Sequence, residues 1–187
     1  GLGDVYKRQQ QYFPGQRIVG GTAMIATVLN GPGDVDFTGY PGAGHMHMVN
    51  LTEEPDAVTH SMFEDFRAAG LNPVLTRNFM GTLMAKVVFN AVVNTLCTMF
   101  SMTMGEFSTF QGDREMARML LDEAYDACER AGIQLIQTRQ EAVEEVHTVS
   151  STGNPLHRPS MYQDFSRGRP TAVSYTHLRA HETAANL

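Results

Sequence analysis

The sequence predicts an α+β chain, with a β-rich first part and an all-α second part. Residues 17–50 contain short β-prone runs separated by glycine-rich turns, whereas after Thr76 the apolar residues recur at helical spacing. The composition suits a folded protein, because 42% of the 187 residues are hydrophobic. Each element follows from local patterns of this kind.

The β-rich part is predicted to be a small meander. A first run ends at the paired glycines of Ile18–Gly21, and a second run extends from Thr22 to Leu29. Asn30–Gly33 is typical of a turn, and Asp34–Thr38 and His45–Asn50 each alternate like a strand with one face in water. Consecutive runs are therefore expected to pair.

A helix and a short extended segment connect the two parts. The helix is predicted from Thr52 to Gly70, because acidic residues near its start favour the helix dipole and glycine ends it. Asn72–Thr76 then returns as a brief extended segment.

Four segments of the second part have helical spacing. They are residues 78–100, 115–131, 138–149 and 160–166. We expect Gly105 to break the chain, Ser150–Pro155 to form a linker, and Ser160 to be able to cap the last helix. In the second of these helices the positions predicted to face inward are Met116, Met119, Leu120, Ala124, Tyr125 and Cys128.

The first of these helices, here called the lysine helix, carries the most informative pattern. Lys86, Asn90 and Asn94 recur every four residues, so at about 3.6 residues per turn they form one polar stripe. The surrounding residues are apolar, which predicts a helix buried nearly all round. Because buried polar groups need partners, the stripe is expected to hold a polar ligand. The alternatives are a lysine that reaches water and asparagines that pair between helices.

Charge and hydropathy patterns argue against two classes of partner. The net charge of −6 and the scattered basic residues give no basic face for nucleic-acid phosphates. No run reaches the roughly 18 uninterrupted apolar residues of a membrane span, and no signal-peptide pattern opens the sequence. We predict a cytoplasmic protein without nucleic-acid or membrane partners.

Cysteine and histidine do not form a recognisable metal site. Cys97 and Cys128 have neither the spacing of a zinc site nor the density of a disulfide scaffold, so we interpret them as reduced packing residues. His45 and His47 alternate on a predicted strand, but the sequence places no carboxylate or cysteine beside them. No metal is expected.

The two ends differ from the middle. Residues 1–9 and 172–187 show no sustained period and resemble translated sequencing-adaptor sequence, so we interpret them as artefact. The alternative is that they are native mobile termini. If they are artefact, the chain is an internal fragment of a longer protein.

Several motifs together resemble the ketopantoate reductase family. They are Ile18-Val-Gly-Gly21, the hairpin Asn30-Gly-Pro-Gly-Asp-Val35, the stretch from Lys86 to Asn94, and Pro159-Ser-Met-Tyr-Gln-Asp164 followed by Arg167-Gly-Arg-Pro-Thr171. The lysine helix and the Ser-Met-x-Gln-Asp motif are specific in combination, because they occur in the right order and at a plausible separation.

The resemblance implies an NADPH-dependent enzyme of pantothenate biosynthesis that reduces 2-dehydropantoate, or a related 2-keto acid, to the 2-hydroxy acid. By this likeness residues 10–76 are the remnant of a Rossmann-type cofactor domain. Residues 77–171 are then a helical substrate domain similar to the C-terminal domain of 6-phosphogluconate dehydrogenase. A small keto acid is the implied partner, and a homodimer is a possible assembly.

The resemblance also implies roles for five residues. Lys86 is the general acid that protonates the carbonyl oxygen as hydride arrives on carbon, and desolvation in a cleft can lower its pKa toward the working pH. Asn90 and Asn94 bind the polar oxygens of the substrate, and Ser160 binds its carboxylate. The backbone at Ala26 touches the cofactor.

The sequence departs from the family pattern at the cofactor site. No Gly-x-Gly-x-x-Gly loop follows a first strand, although such a loop is needed to bind the cofactor pyrophosphate. Thr171 is followed by Ala172, where the family usually continues with an acidic residue. The chain as given is therefore expected to be inactive. The alternative function is a non-enzymatic helical interaction or dimerisation module.

Overall fold

The structure, a computed structural model, describes residues 8–24, 27–37, 45–50, 54 and 56–171. The chain divides into two compact units, with the boundary in the sequence between Leu83 and Met84. Strands dominate the start of the described sequence and helices the rest, which confirms the predicted α+β class.

Among its described residues the first unit contains, after a 3₁₀ turn at Gly15–Arg17, five strands and one complete α-helix. They are β1 (Val19–Met24), β2 (Thr27–Gly31), β3 (Asp34–Phe37), β4 (His45–Asn50), α1 (Ala57–Ala68) and β5 (Pro73–Leu75). Helix α2 (Phe79–Met99) is the lysine helix and begins within one residue of its predicted start. The elements that follow it are α3 (Met104–Ser108), α4 (Asp113–Arg130), α5 (Arg139–Thr148), a π-helical turn (Val149–Gly153) and α6 (Ser160–Ser166).

The strands do not form the predicted meander. Strand β1 pairs antiparallel with β4, and β4 pairs parallel with β5. Strands β2 and β3 pair only with each other among the described residues, joined by a turn in which Gly33 has a φ of 78°. Strand β4, which follows this hairpin in the sequence, then pairs with β1, so the hairpin is inserted between two paired strands. The turn predicted after Thr38 lies outside the described residues.

The paired glycines lie inside β1 instead of ending it. A Cβ atom at Gly20 would be 2.7 Å from Cζ of Phe79. Phe79 is buried and forms an apolar cluster with Val49 and Leu83. Glycine is therefore required here because an aromatic ring lies directly against the strand, and the predicted end of the run at Gly21 is wrong.

Helix α1 is shorter than predicted. Asp56 caps it by accepting hydrogen bonds from the backbone nitrogen of Thr59 at 2.8 Å and from its hydroxyl at 2.9 Å. Gly70, with a φ of 81°, follows its end as predicted. The first positions of the predicted helix, 52, 53 and 55, lie outside the described residues.

The second unit is helical and is built around three helices. The face of the lysine helix that carries Ala85, Val88 and Phe89 packs against α4 and α5. A small cavity of about 10 Å³ remains between the three helices. Ala85, Val88, Phe89, Leu121, Tyr125, Gln137, Ala142, Glu145 and Val146 line this cavity. The cavity is too small to break the packing of this core.

Helix α4 buries Tyr125 and Cys128 as predicted, but the rest of its buried face is shifted. The buried positions are Ala117, Leu121, Tyr125 and Cys128, with Asp113 at the start. Met119 was predicted to face inward, but it is 69% exposed. The Tyr125 hydroxyl donates to the carbonyl oxygen of Gln137 at 3.2 Å and so fixes the rotation of the helix. A pattern that counts only apolar residues does not register this polar anchor.

Two segments predicted as irregular are helical. Gly105 is the second residue of α3 and does not break the chain after the lysine helix. The predicted linker begins with the π-helical turn, closed by the Thr152 hydroxyl on the carbonyl oxygen of Thr148 at 2.8 Å. Ser150 in this turn is fully buried, and within the described residues its hydroxyl is the buried side-chain polar atom without a partner. Serine and threonine suggest loops, but here the hydroxyls of Ser151 and Thr152 both bond back to the carbonyl oxygen of Thr148.

One described helix, α2, is long and apolar enough to cross a membrane on length and composition alone. Half of its apolar 18-residue stretch is buried inside the protein, as in the core helix of a folded domain. A single helix of this kind is weak evidence for a membrane span.

Candidate active site

The lysine helix carries the polar stripe. Lys86, Asn90 and Asn94 all lie within Phe79–Met99, so their spacing places the amine and the two carboxamides on one side of the helix. All three side chains are half-buried. The structure thus brings three of the predicted site residues onto one partly accessible stripe.

The prediction that this helix is buried nearly all round is wrong. Val92 and Val93 face the core, but Val87 is 38% exposed and Met80 is 45% exposed. Ala91 is also exposed. An apolar pattern cannot by itself show which side of a helix is covered, since much of a protein surface is apolar. The polar stripe therefore lies between a packed face and an exposed apolar face.

The surroundings of Lys86 disfavour the charged form of its side chain. Desolvation by the surrounding protein lowers the pKa of its amine below the ordinary value of 10.5. The sequence contains only one other lysine, Lys7, although it contains many arginines. A lysine differs from an arginine in that burial can bring its pKa into a range where it releases a proton.

Ser160 is the first residue of α6 and is exposed. It does not cap this helix, because Pro159 is the N-cap residue and no side-chain capping bond is present. The backbone before it is held by Gln163, whose Nε2 donates to the carbonyl oxygen of Arg158 at 2.8 Å. Ser160 belongs to the same compact unit as the stripe.

The remaining site predictions concern the cofactor, metals and thiols. Ala26 lies outside the described residues. Among the residues that the structure describes, no group of three or more His, Cys, Asp or Glu side chains could hold a metal ion. Cys97 and Cys128 are buried and free. Burial, with a smaller contribution from Glu106, raises the pKa of Cys97 to about 11, so this thiol is not reactive near neutral pH.

The sequence analysis missed a charged cluster between α4 and α5. Arg139 donates to Asp126 at 2.7 Å and to Glu129 at 2.8 Å, and its guanidinium lies 5.5 Å from the centroid of the Tyr125 ring. A cleft of about 250 Å³ lies beside it and contains none of the predicted site residues. Arg139 lies in α5 and both carboxylates lie in α4, so these hydrogen bonds join the two helices. Sequence spacing gives no sign of it, because the partners come from separate helices.

A second missed contact joins the same two helices. Nδ1 of His147 lies 2.6 Å from Oδ2 of Asp113, and both side chains are largely buried. Asp113 begins α4 and His147 lies in the last turn of α5. The pair thus fastens opposite ends of neighbouring helices.

Comparisons with known proteins agree with this architecture. Residues 78–186 match the family model described as Ketopantoate reductase PanE/ApbA C terminal. The chain is 23% identical over 155 residues to a 2-dehydropantoate 2-reductase of Streptococcus pyogenes serotype M3, covering 83% of this chain and 48% of that protein. It is 25% identical over 160 residues to the enzyme of the same name from Archaeoglobus fulgidus, covering 86% and 51% respectively.

A solved structure shares the fold. The ternary structure of D-mandelate dehydrogenase with NADH and anilino(oxo)acetate matches with a TM-score of 0.79 and 25% identity, covering 94% of this chain and 55% of that one. The chain spans about half the length of the curated relatives it matches. The family model covers more than half of the chain and includes the whole lysine helix and Ser160. By this match the chain belongs to the ketopantoate reductase family.

Proposed function

We propose that this chain supplies the substrate-binding and proton-donating part of a cytoplasmic, NADPH-dependent reductase of 2-keto acids, with 2-dehydropantoate as the first candidate substrate. One observation carries the proposal: a family member presents Lys86, Asn90 and Asn94 on one half-buried stripe. The lowered pKa of Lys86 supports the same role. A stripe of this kind offers one proton donor and two neutral amides to a small polar ligand.

Lys86 is the proposed general acid. Reduction adds a hydride to the keto carbon, and the carbonyl oxygen takes up a proton as its negative charge develops. The protonated Lys86 ammonium stabilises that charge, donates the proton and is left as the neutral amine, and a lowered pKa makes that donation easier. The nicotinamide cofactor, when bound, supplies the hydride.

The other proposed site residues orient the keto acid. Asn90 and Asn94 each offer donors and an acceptor without adding charge, so they can bind hydroxyl and carbonyl oxygens beside the cationic Lys86. The Ser160 hydroxyl is proposed to bind the substrate carboxylate. For the cofactor, we propose a contact with the backbone at Ala26. The sequence has no Gly-x-Gly-x-x-Gly loop, so no residue of this chain is assigned to the pyrophosphate.

The same helix supports one alternative function. Val87 and Met80 are exposed apolar side chains beside the stripe, and Met99 at the end of the helix is 69% exposed. These residues could belong to a dimerisation module in which the lysine helix only packs. Ligand binding and self-association separate the two proposals.

The test is a titration of the chain with 2-dehydropantoate, followed by amide chemical shifts in NMR. We expect shifts at Lys86, Asn90, Asn94 and Ser160, and we expect Lys86→Met and Asn90→Ala each to weaken binding about tenfold, the scale of one hydrogen bond to a charged group. Thr95→Ala is the matched control, because Thr95 is half-buried on the same helix but lies outside the stripe. Its affinity should equal that of the unmodified chain.

Two results together would support the dimerisation module instead. They are no binding of 2-dehydropantoate at millimolar concentration, and a dimer, seen by sedimentation, that Val87→Asp dissociates. A chain that binds the keto acid equally well with and without Lys86 would also remove the role proposed for the amine.

A further inference from the structure

We propose that helix α3 is a positioning element that holds Ser160 in place relative to the lysine helix, and that Gly105 is the residue that makes this possible. The inference rests on the proposed function, since it concerns the group proposed to bind the substrate carboxylate. Three sets of contacts within the helical unit support it.

Helix α3 is fixed to the end of the lysine helix. Ser101 adopts a left-handed conformation with a φ of 55°, and the backbone nitrogen of Met102 donates to the carbonyl oxygen of Cys97 at 2.9 Å. Thr103 and Glu106 then form a reciprocal capping box, with the Thr103 nitrogen donating to the Glu106 carboxylate at 2.7 Å. The connection is short and hydrogen-bonded, so α3 has a defined place beyond the last turn of the lysine helix.

The first turn of α3 also holds the segment that precedes Ser160. The backbone nitrogen of Met104 donates to the carbonyl oxygen of His157 at 3.0 Å, and that of Gly105 donates to the carbonyl oxygen of Pro155 at 2.8 Å. First-turn nitrogens have no partner inside their own helix. Here they bind backbone that lies a few residues before α6, and this backbone leads directly into Ser160.

Only glycine fits at position 105. A Cβ atom there would lie 2.7 Å from Cβ of Pro155 and 2.8 Å from its carbonyl oxygen. Both atoms belong to backbone or to a rigid ring, so neither can rotate away as a flexible side chain would. The φ of Gly105 is not positive, so the need for glycine arises from close approach and not from backbone conformation.

A charged side chain next to His157 packs against α6. The guanidinium of Arg158 lies over the Tyr162 ring, 5.0 Å from its centroid, and donates to the Tyr162 hydroxyl at 3.2 Å. Hydrogen bonds from Thr103 lower the pKa of Glu106, and the positive charge of Arg158 lowers it further. Arg158 thus contacts α6 directly, and its charge favours the ionised carboxylate of Glu106 in α3.

The experiment compares Gly105→Ala with Gly153→Ala in the full chain. Gly153 is the matched control, because a Cβ atom there would meet only the Val149 side chain, with Cγ1 at 3.4 Å and Cβ at 3.8 Å. In Gly105→Ala we expect the amides at positions 104 and 105 to exchange with solvent at least tenfold faster, and the affinity for 2-dehydropantoate to fall about tenfold. Gly153→Ala should leave both unchanged.

A double-mutant cycle separates positioning from a general structural effect. If α3 acts through Ser160, then Ser160→Ala should weaken binding in the unmodified chain but cause no further loss in the Gly105→Ala background. Additive losses, or unchanged exchange and affinity in Gly105→Ala, overturn the inference. If the unmodified chain does not bind 2-dehydropantoate, the proposed function fails. The amide exchange and the chemical shift of Ser160 in Gly105→Ala then decide the positioning claim alone.

Discussion

Two cations of the helical unit, Lys86 and Arg139, have opposite electrostatic environments. Arg139 hydrogen-bonds to Glu129 and Asp126, and these contacts raise its pKa further above the ordinary value. Lys86 is half-buried on the lysine helix, and desolvation lowers its pKa. One cation is thus more firmly charged than a free side chain, and the other is closer to losing its proton.

The difference separates the structural use of a positive charge at Arg139 from the chemical use proposed for Lys86. A guanidinium cannot act as an acid near neutral pH, so surrounding it with carboxylates joins helices without chemical consequence. Partial desolvation makes the charged form of an amine less stable, so the ammonium more readily gives its proton to a group that becomes negative. The arrangement of neighbours therefore distinguishes a structural cation from a candidate catalytic one.

The largest expected effect is on turnover. In a protein that joins this chain to a nucleotide-binding half, Lys86→Met should lower kcat for 2-dehydropantoate about a hundredfold or more, the usual scale for loss of a general acid. Arg139→Met should change kcat by no more than about twofold, because its contacts are to carboxylates within the protein. NADPH oxidation followed by absorbance measures both. Near-normal turnover in Lys86→Met would falsify the role of the amine.

A smaller effect is expected on thermal stability. Arg139→Met should lower Tm, since it leaves three carboxylates of α4 close together without their shared cation. The difference should shrink in 1 M salt, where the screening length is about 3 Å. Arg130 is exposed in α4, the helix that carries the three carboxylates, so Arg130→Met is the control and should have little effect. Equal Tm values for the two variants would mean that the cluster does not hold the helices together.

The smallest expected effect is a pH-dependent gain in stability. Because the pKa of Lys86 is lower in the folded chain than the ordinary 10.5, its protonated form costs stability at every pH below the folded value. That cost disappears as pH rises through the interval between the folded pKa and 10.5. Lys86→Met should therefore be slightly more stable than the unmodified chain near pH 7, and the two should converge at high pH.

Urea unfolding at several pH values measures this difference, and NMR of ¹³C-methylated amines measures the pKa directly. The second measurement is simple because the chain has only two lysines, Lys7 and Lys86. A Lys86 pKa at or above 10.5 would contradict the desolvated setting and weaken the contrast with Arg139.

Local patterns predicted the helices better than the strands. Both ends of the lysine helix lie within one residue of their predicted positions, because its apolar repeat is long and continuous. The pairing of β1 with β4 was not predictable in the same way, since it depends on strands separated by an intervening hairpin. Periodicity describes a single element, whereas strand pairing depends on several elements at once.

For the candidate site, the sequence predicted the stripe but not its support. The spacing of Lys86, Asn90 and Asn94 fixes their common side as soon as the segment is helical. The role of Gly105 depends on Pro155, fifty residues later, and the contacts of Arg139 depend on another helix. Contacts of this kind have no local signature, which explains why Gly105 was expected to be a break.

The contact between Gly20 and Phe79 limits how the first turn of the lysine helix can vary. Any change that adds a side chain at position 20 requires a smaller or displaced group at position 79, because the ring already occupies that space. The two positions are therefore expected to mutate as a pair. Through this pairing a change in β1 and a change at the first residue of the lysine helix constrain each other within the first unit.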